Sequence, residues 1–413
     1  MEIVGTAVVW LMMLFVLIGV IGAVKDDTKG IGLEFKEGIY SIGPIFLPVA
    51  GIMASIPFLS RFVEIITGRI FEFMGADQSM AAGALIAGDM GGYHLANVLA
   101  ESHEAWIMAT ATAFMAGSTI VFSIPVGLAM LEKQHHKYLA LGVMSGVLTI
   151  PVGVFVTSLI LKLTQTQLRS DITTSGDSDQ TFTLSWGEML TNLIPIIIFV
   201  ITLALLLRLA TTFMIKAFLI FGKVLDTALK IVLALVIVEY FTGIFSTILG
   251  GWGFDPIIAD EMDQYRALEV AGAIGIMLAG AFPLVYAIRK YLAKPLDLAG
   301  KRIGISTEGM AGVLAAAANI LAMFRLIPTM PPKDRVLAIA FSVCAAFTFG
   351  DHLAFMANFQ PNMVVPLVVS KLIAGIIAML LALWLAVPKA KHLAEYADDE
   401  AIGTKEDRAA VQS

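Results

Sequence analysis

The chain is built from long apolar runs that alternate with short polar connections. The first run, residues 3–24, contains no charged residue. Its length matches the roughly 20 apolar residues that cross a bilayer as a helix, and it exceeds the core of a signal peptide. We therefore interpret it as an uncleaved first span. Ten further runs give eleven candidate spans in all: 40–60, 79–100, 105–131, 138–161, 190–207, 227–250, 267–288, 303–324, 336–358 and 363–387.

Two of these spans carry helix-breaking residues near their centres. Residues 79–100 contain Gly88-Asp89-Met90-Gly91-Gly92, and residues 105–131 contain Gly117-Ser118-Thr119 followed by Pro125. Backbone groups freed at membrane depth persist only where protein or a wet cavity satisfies them. Close packing of helices through small residues is the alternative explanation. The pattern predicts broken helices at both places.

An internal repeat supports this interpretation. Residues 79–95 align with 309–325 without a gap, which places Asp89 on Asn319, and residues 117–125 align with 350–358, which places Ser118 on Asp351. Glu37 likewise matches Glu269, and all these offsets are about 230 residues. We expect two duplicated halves, an arrangement in which secondary transporters bind substrate between the repeats.

The repeat divides the chain into four predicted parts. They are a first transmembrane repeat (1–162), a polar loop with a linking helix and an interfacial stretch (163–226), a second transmembrane repeat (227–387) and a charged, mobile tail (388–413). A linking helix that spans the membrane would make the repeats parallel, and one that does not would make them inverted. With eleven spans, the basic loops 208–230 and 289–302 share a side with the amino terminus, which favours a cytoplasmic amino terminus.

Composition narrows the class of protein. Of 413 residues, 58% are apolar and 15% are charged, against about 25% charged in a soluble domain, and the mean hydropathy is +0.86. The formal net charge of −6 comes without a basic block, which argues against nucleic-acid binding. A single cysteine, Cys344, excludes a disulfide framework and a Cys-based zinc site. The sequence predicts an all-α, polytopic membrane protein with about 10–11 transmembrane helices.

Ionisable residues inside these spans need a physical reason, because a charge at the bilayer centre costs about 2.5–3.5 kcal/mol on insertion scales. The deep candidates are Asp89, Glu239, Asp351, His352 and Lys371, with His94 and Asn319 as polar neighbours. Lys371 is predicted to form a structural ion pair with Asp351 or Glu239. Because acids still outnumber bases, a small cation is the expected third partner.

The repeat also selects candidate binding residues. Each half offers one acid aligned with one neutral polar residue of the other half. Thr119 and Ser123 lie four residues apart, on one face of an α-helix, and Tyr93 could offer a ring face to an ammonium. The predicted substrate-binding residues are Asp89, Asp351, Asn319, Thr119, Ser123, Tyr93 and His352. No His, Cys or carboxylate spacing matches a metal signature, so the sequence predicts no metal, no cofactor and no catalytic residue.

Four long segments resemble a known family. They are LIAGDMGGYHLA (85–96), GSTIVFSIPVGLAMLE (117–132), KYLALGVMSGVLTIPVG (137–153) and AFTFGDHLAF (346–355). With them the chain resembles the ethanolamine utilisation permease family, EutH, from the first span to Val387. The resemblance implies an integral protein of the bacterial cytoplasmic membrane that admits ethanolamine for catabolism and uses no cofactor.

The resemblance supplies no list of binding residues, so the candidate site depends on the residues above. The expected function is uptake of protonated ethanolamine by facilitated diffusion. A proton- or sodium-coupled carrier for another small amine or amino acid is the main alternative, followed by a membrane enzyme or an ion channel. The expected partners are ethanolamine and the lipid bilayer, without nucleic acid, and the sequence leaves a homo-oligomer open.

Overall fold

A computed structural model describes residues 2–393, which are helical almost throughout. The α-helices are α1 (Glu2–Lys25), α2 (Gly30–Tyr40), α3 (Ile42–Ala54), α4 (Ile56–Phe62), α5 (Arg69–Phe73), α6 (Ser79–Leu85), α7 (Gly92–Leu99), α8 (His103–Thr112), α9 (Ile124–Met130), α10 (His136–Val147), α11 (Ile150–Leu163), α12 (Trp186–Leu209), α13 (Thr211–Thr242), α14 (Ile244–Leu249), α15 (Ala267–Arg302), α16 (Thr307–Ala318), α17 (Ile320–Leu326), α18 (Pro332–Ala345), α19 (Asp351–Phe359) and α20 (Val364–Leu385). Val63–Gly68 and Ala113–Ser123 are π-helical, and Gly88–Met90, Lys133–His135, Ile327–Thr329 and Pro361–Met363 are 3₁₀ turns. Two short strands, β1 (Gln167–Leu168) and β2 (Gln180–Thr181), pair antiparallel in the polar loop.

Within residues 2–393, seven helical segments are long and apolar enough to cross a membrane: Ile3–Lys25, Gly30–Ala54, His103–Met130, Lys133–Leu163, Trp186–Leu209, Ala267–Arg302 and Pro361–Leu385. Each overlaps one predicted span. The helical, multi-pass class of the protein is thereby confirmed. The apolar side chains of α1 face outward, with Trp10 71% and Leu17 60% exposed, as expected for contact with lipid.

The predicted span at 79–100 is a re-entrant hairpin and does not cross the membrane. The Glu101 N–H, just after α7, donates to the carboxylate of Asp77, just before α6, at 3.0 Å. The start of the first arm and the end of the second arm therefore lie side by side. The arms have seven and eight residues and are about 12 Å long at most, less than half of the roughly 30 Å hydrocarbon core. We call residues 77–101 hairpin 1; its tip lies inside the membrane.

The predicted span at 303–324 is a second re-entrant hairpin. Its arms, α16 and α17, are separated only by Asn319, whose backbone is extended at φ −155°. The N–H of Ser306, before α16, donates to Asp334, four residues beyond Met330, at 2.9 Å. The two ends of this segment therefore also meet on one side. We call residues 306–330 hairpin 2.

The predicted span at 336–358 is a helix broken between α18 and α19. Phe347 has a positive φ of 57° in the break. The N–H groups of Phe347 and Phe349 donate to the carbonyl oxygens of Ala316 and Ala317, at 3.1 and 2.9 Å. Hairpin 2 thus satisfies backbone groups that the break would leave unpaired in the membrane.

The break predicted inside 105–131 takes a different form. The chain stays helical from α8 through the π-helical Ala113–Ser123 to α9, and Pro125 lies in the first turn of α9. A Cβ on Gly117 would lie 2.1 Å from the carbonyl oxygen of Ile86, and one on Gly350 would lie 2.3 Å from that of Ala318. The repeat alignment pairs these two glycines. Each leaves room for the backbone at the break of the hairpin in its own half.

The two hairpins enter from opposite faces of the membrane. The span Lys133–Leu163 separates these faces. Next to Lys133, His135 Nδ1 lies 3.5 Å from Arg335 Nη1, beside the ends of hairpin 2. Beyond the far end of this span, the polar loop leads into α12, where Asn192 Oδ1 accepts from the Asp77 N–H of hairpin 1 at 2.8 Å.

We name these two sides by their charges. The chain segments around Lys133, Lys216 and Arg335 form the basic face. The segments around Asp77, Asp171 and Asp263 form the acidic face. Because the two aligned hairpins enter from opposite faces, the repeats are inverted. Hydropathy alone counted both hairpins as spans, which would have made the repeats parallel with a spanning α12.

The same contacts correct the expected position of the amino terminus. Gly5 packs against the carbonyl of Pro361, and Asn362 Nδ2 donates to Gln167 O at 2.9 Å, so the start of α1 lies on the acidic face. Thr211 and Lys216 lie beside Lys133 on the basic face. The amino terminus and the basic loop 208–230 are therefore on opposite sides.

The remaining predicted span, 227–250, overlaps the second half of the 32-residue helix α13, and the predicted interfacial stretch forms its first half. Lys216, Lys223, Asp226, Lys230 and Glu239 spread charges along this helix, so it lacks a stretch of 18 residues as free of charge as those in the seven segments above. Of the predicted mobile tail, residues 388–393 are helical and residues 394–413 lie outside the described residues. The domain boundaries themselves stay a prediction.

Candidate intramembrane cation site

A cavity of about 280 Å³ lies where the two hairpin tips meet α2, α3, the π-helix and the α18–α19 break. The hairpin tips and the α18–α19 break expose polar groups where the helices are interrupted, and Glu37 reaches the cavity from within the regular helix α2. The polar residues that line it are Glu37, Ser41, Asp89, Ser118, Asn319, Asp351 and His352.

Three carboxylates line this cavity, and none of the lysines or arginines among residues 2–393 does. They come from Glu37 on α2, Asp89 at the tip of hairpin 1 and Asp351 at the start of α19. His352 Nε2 lies 3.9 Å from Asp89 Oδ1 and 3.4 Å from the Ser118 hydroxyl oxygen. The cavity is thus rich in oxygen acceptors and suited to a cation.

The helix breaks orient two of these polar groups. Asp351 lies in the first turn of α19, where the helix dipole stabilises a carboxylate. Asn319 caps α17, because its Oδ1 accepts the Leu321 N–H at 2.9 Å. This cap leaves the Asn319 amide nitrogen free of the α17 backbone, and the residue lines the cavity wall.

Aromatic rings form part of the same wall. Phe122, Phe282 and Phe347 line the cavity, and the Phe347 ring lies 5.4 Å from the His352 ring and 5.7 Å from the Phe122 ring. Ring faces attract ammonium groups without the strong hold of a carboxylate. The cavity therefore combines strong and weak contacts for a cation.

The structure brings four of the seven predicted binding residues together: Asp89, Asp351, Asn319 and His352. The other three lie outside the cavity. Thr119 Oγ1 donates to Val343 O at 2.7 Å, Ser123 Oγ donates to Ser118 O at 3.2 Å, and the Tyr93 hydroxyl accepts from Gln360 Nε2 at 3.1 Å. Their side chains are engaged in contacts between and within helices.

Lys371 does not form the predicted ion pair. Its side chain is 1% exposed, and its Nζ donates to the backbone carbonyl of Phe114, at the start of the π-helix, at 2.7 Å. In the part of the chain that the structure describes, no carboxylate oxygen lies within 4.0 Å of this nitrogen. The other proposed partner, Glu239, is half-buried and accepts the Phe245 N–H at 2.8 Å, which caps α14.

Glu37 lines the cavity but was not among the predicted binding residues. The predicted span began at residue 40, so Glu37 fell outside the membrane. In the structure α2 begins at Gly30 and carries Glu37 to the cavity. The match of Glu37 with Glu269 in the repeat was the one signal in the sequence that could have found it.

These features define an inverted-repeat, multi-pass helical membrane protein with an acidic cavity between its halves. The chain belongs to the EutH family, described as ethanolamine utilisation protein, because the family model matches residues 4–385. This match confirms the resemblance inferred from the sequence motifs.

Curated relatives agree with the family assignment. A Listeria monocytogenes protein named probable ethanolamine permease EutH is 35% identical over 361 residues, 87% of this chain and 88% of the relative. A Salmonella typhimurium protein of the same name is 34% identical over 384 residues, 87% of this chain and 90% of the relative. The uncharacterized protein YxeR of Bacillus subtilis is 31% identical over 368 residues, with 88% and 90% covered. No solved structure matches the chain.

Proposed function

We propose that this protein carries protonated ethanolamine across the bacterial cytoplasmic membrane by facilitated diffusion and so supplies ethanolamine catabolism. The observation that carries the proposal is a cavity inside the membrane whose wall, in the described part of the chain, holds three carboxylates and no lysine or arginine. The relatives named probable ethanolamine permease support the choice of substrate.

The chemistry of the substrate fits this wall. An ammonium that leaves water must regain both its hydrogen bonds and its charge compensation, because unpaired burial is costly. In our proposal Asp89 or Asp351 faces the ammonium and Asn319 binds the hydroxyl. The phenylalanine rings hold the cation more weakly, which permits its release.

The hairpins suggest how access alternates. Hairpin 1 reaches the cavity from the acidic face and hairpin 2 from the basic face, so movement of either would open a route on its own side. Transporters with inverted repeats alternate by moving one part of the structure against another around a fixed site. The positive-inside rule assigns the basic face to the cytoplasm, which makes the acidic face the side of entry.

Transport fits the cavity better than catalysis does. The hydroxyl of Ser118, a potential nucleophile in the wall, donates to the Ala113 carbonyl at 2.9 Å. A second candidate, proton-coupled transport, is favoured by one observation, the 3.9 Å approach of His352 to Asp89. A proton shared between these groups would change the charge of the cavity.

Uptake by proteoliposomes tests both candidates. We expect saturable entry of radiolabelled ethanolamine that unlabelled ethanolamine inhibits more strongly than choline or serine. Facilitated diffusion predicts no accumulation above the external concentration when a proton or sodium gradient is imposed. Accumulation driven by a proton gradient would favour the coupled carrier, and failure to take up ethanolamine would refute the proposal.

A further inference from the structure

A second cavity, of about 420 Å³, opens at the acidic face. It lies between the end of α3, the second arm of hairpin 1, the polar loop and the segment before α15. The polar residues that line it are His94, Asn97, Asp171, Asp255, Asp263 and Arg266. We call it the outer cavity and the first one the central cavity.

The outer cavity has an excess of negative charge. The Arg266 guanidinium is shared by three carboxylates, at 4.0 Å from Asp255, 3.2 Å from Asp260 and 3.5 Å from Asp263. Among the described residues, Asp171 has no basic nitrogen within 4.0 Å of its carboxylate. One guanidinium thus leaves the carboxylates of this wall undercompensated.

His94 provides an independent sign of a ligand. Its side chain lines the outer cavity and is 4% exposed, and neither ring nitrogen has a hydrogen-bond partner among the described residues. The ring packs edge-on against Tyr93 and Phe359, at 5.6 and 6.1 Å. A buried polar group without a partner is costly, so a hydrogen-bonding ligand in the cavity would relieve this cost.

The outer cavity lies in line with the central one. Hairpin 1 carries Asp89 to the central cavity and His94, five residues later, to the outer cavity; α3 likewise carries Pro48 to the first and Met53 to the second. Between them lies Gly91, where an added Cβ would come within 2.9 Å of Ile52 Cγ2 and 3.2 Å of Met53 Cγ. The same two elements therefore reach both cavities, with tightly packed Gly91 between the two lining positions of hairpin 1.

We infer that the outer cavity is a second binding site, for a primary ammonium cation that then passes Gly91 to the central cavity. With the substrate of the proposed function, on which this inference rests, the cation is ethanolamine. An ammonium has three N–H donors, which suit separated carboxylates and an imidazole acceptor, and Asn97 can bind the hydroxyl. A metal ion fits less well, since residues 2–393 contain no group of three or more His, Cys, Asp or Glu side chains arranged to hold one.

Neutralising Asp171 tests this site, because the carboxylate lies on the wall without an ion pair. We expect Asp171→Asn to raise the KM for ethanolamine entry from the acidic face about fivefold, since one nearby charge is lost, with the maximal rate unchanged. Asp177→Asn is the matched control, an exposed acid of the same loop that does not line the cavity. A wild-type KM for Asp171→Asn would overturn the inference.

Equilibrium binding separates this inference from the proposed function. Full-length purified protein should bind radiolabelled ethanolamine at two saturable sites, of which Asp89→Asn removes one and His94→Gln weakens the other. If Asp89→Asn removes all binding and transport-competent wild type shows one site, the outer site is refuted while the proposed function stands. If the wild type neither binds nor transports ethanolamine, the proposed function fails. Should His94→Gln not fold, Asp171→Asn decides the binding experiment alone.

Discussion

His352 Nε2 and Asp89 Oδ1 are 3.9 Å apart, and this contact joins the two halves of the molecule. Asp89 is brought to the centre by hairpin 1, which enters from the acidic face, and His352 by the start of α19 in the second half. Neither half can form the central cavity by itself. The acidic site therefore depends on both halves and on the opposite directions from which their hairpins enter.

The carboxylates of the central cavity are expected to be essential for uptake of the cation. Asp89→Asn and Asp351→Asn each remove one of the three carboxylates of the cavity. The change at the position that contacts the ammonium removes its closest charged partner, a loss worth about 2–5 kcal/mol. Saturable uptake at acidic pH and low substrate should fall at least about 30-fold. Entry of neutral ethanolamine through lipid at alkaline pH should not change.

The measurement is initial uptake against pH in proteoliposomes with matched amounts of folded protein. Asp179→Asn, an exposed loop acid, serves as control. Normal uptake at acidic pH by both cavity variants would contradict the role of the carboxylates.

Asn319 is expected to have two separable roles. Asn319→Ala removes the α17 cap, at a cost of about 1 kcal/mol in stability, and the amide that faces the substrate hydroxyl. Asn319→Ser can keep the cap while it loses the amide. Both variants should show about fivefold weaker uptake, and only Asn319→Ala should melt at a lower temperature. Unchanged uptake kinetics in Asn319→Ser would exclude the proposed hydroxyl contact.

Glu37 is expected to contribute to the affinity for the cation without supporting the fold. Glu37→Gln removes one of the three acids of the cavity, so the KM for ethanolamine should rise about fivefold. Glu34→Gln, one turn earlier on α2, breaks a 2.8 Å bridge to Arg289 outside the cavity. It should leave the KM unchanged. Equal effects of the two substitutions would show that Glu37 acts through the helix and not on the substrate.

Lys371 is expected to stabilise the π-helix and to act independently of the acids. Lys371→Met leaves the buried Phe114 carbonyl without its donor, which should cost about 1–3 kcal/mol and lower the melting temperature in detergent. Because no ion pair is broken, a second change, Asp351→Asn, should not restore stability. Exposed Lys216→Met is the control. Restoration by Asp351→Asn would reinstate the pairing.

The centre of the site could be predicted from the sequence but its surroundings could not, for physical reasons. Asp89, Asn319, Asp351 and His352 stand out because a polar residue in an apolar, glycine-interrupted segment has few structural explanations. Hydropathy, however, measures apolar length and cannot distinguish a hairpin from a span. The contacts of Glu101 with Asp77 and of Ser306 with Asp334 show where the chain turns back.

Thr119, a predicted binding residue, lies outside the cavity for another reason. The assumption that residues four apart share a face holds for an α-helix, whereas Ala113–Ser123 is π-helical with i→i+5 bonds. The wider turn presents Ser118 to the cavity and directs the Thr119 hydroxyl to Val343. No residue type in this segment is specific for a π-helix. The sequence therefore could not have predicted that Ser118, and not Thr119, lines the cavity.

Gly117 and Gly350 are expected to have equivalent roles, because the absence of a side chain at each lets the backbone at the break of the nearby hairpin pack closely. A methyl group at either position would press on a backbone carbonyl, at 2.1 Å from Ile86 O or 2.3 Å from Ala318 O. A carbonyl within a packed break cannot move aside as a flexible side chain can. Gly117→Ala and Gly350→Ala should therefore each destabilise the protein by about 1–3 kcal/mol and reduce uptake by displacing Asp89 or Asn319.

Gly272→Ala supplies the matched control, because Gly272 lies within α15 and an added Cβ would meet nothing within 4 Å. This change should be neutral or stabilise the helix by up to about 1 kcal/mol. Thermal melting in detergent measures the change in stability, and uptake in proteoliposomes measures the change in transport. We expect Gly117→Ala and Gly350→Ala to lower stability and uptake by similar amounts. A loss confined to one glycine would show that only one hairpin depends on this close approach.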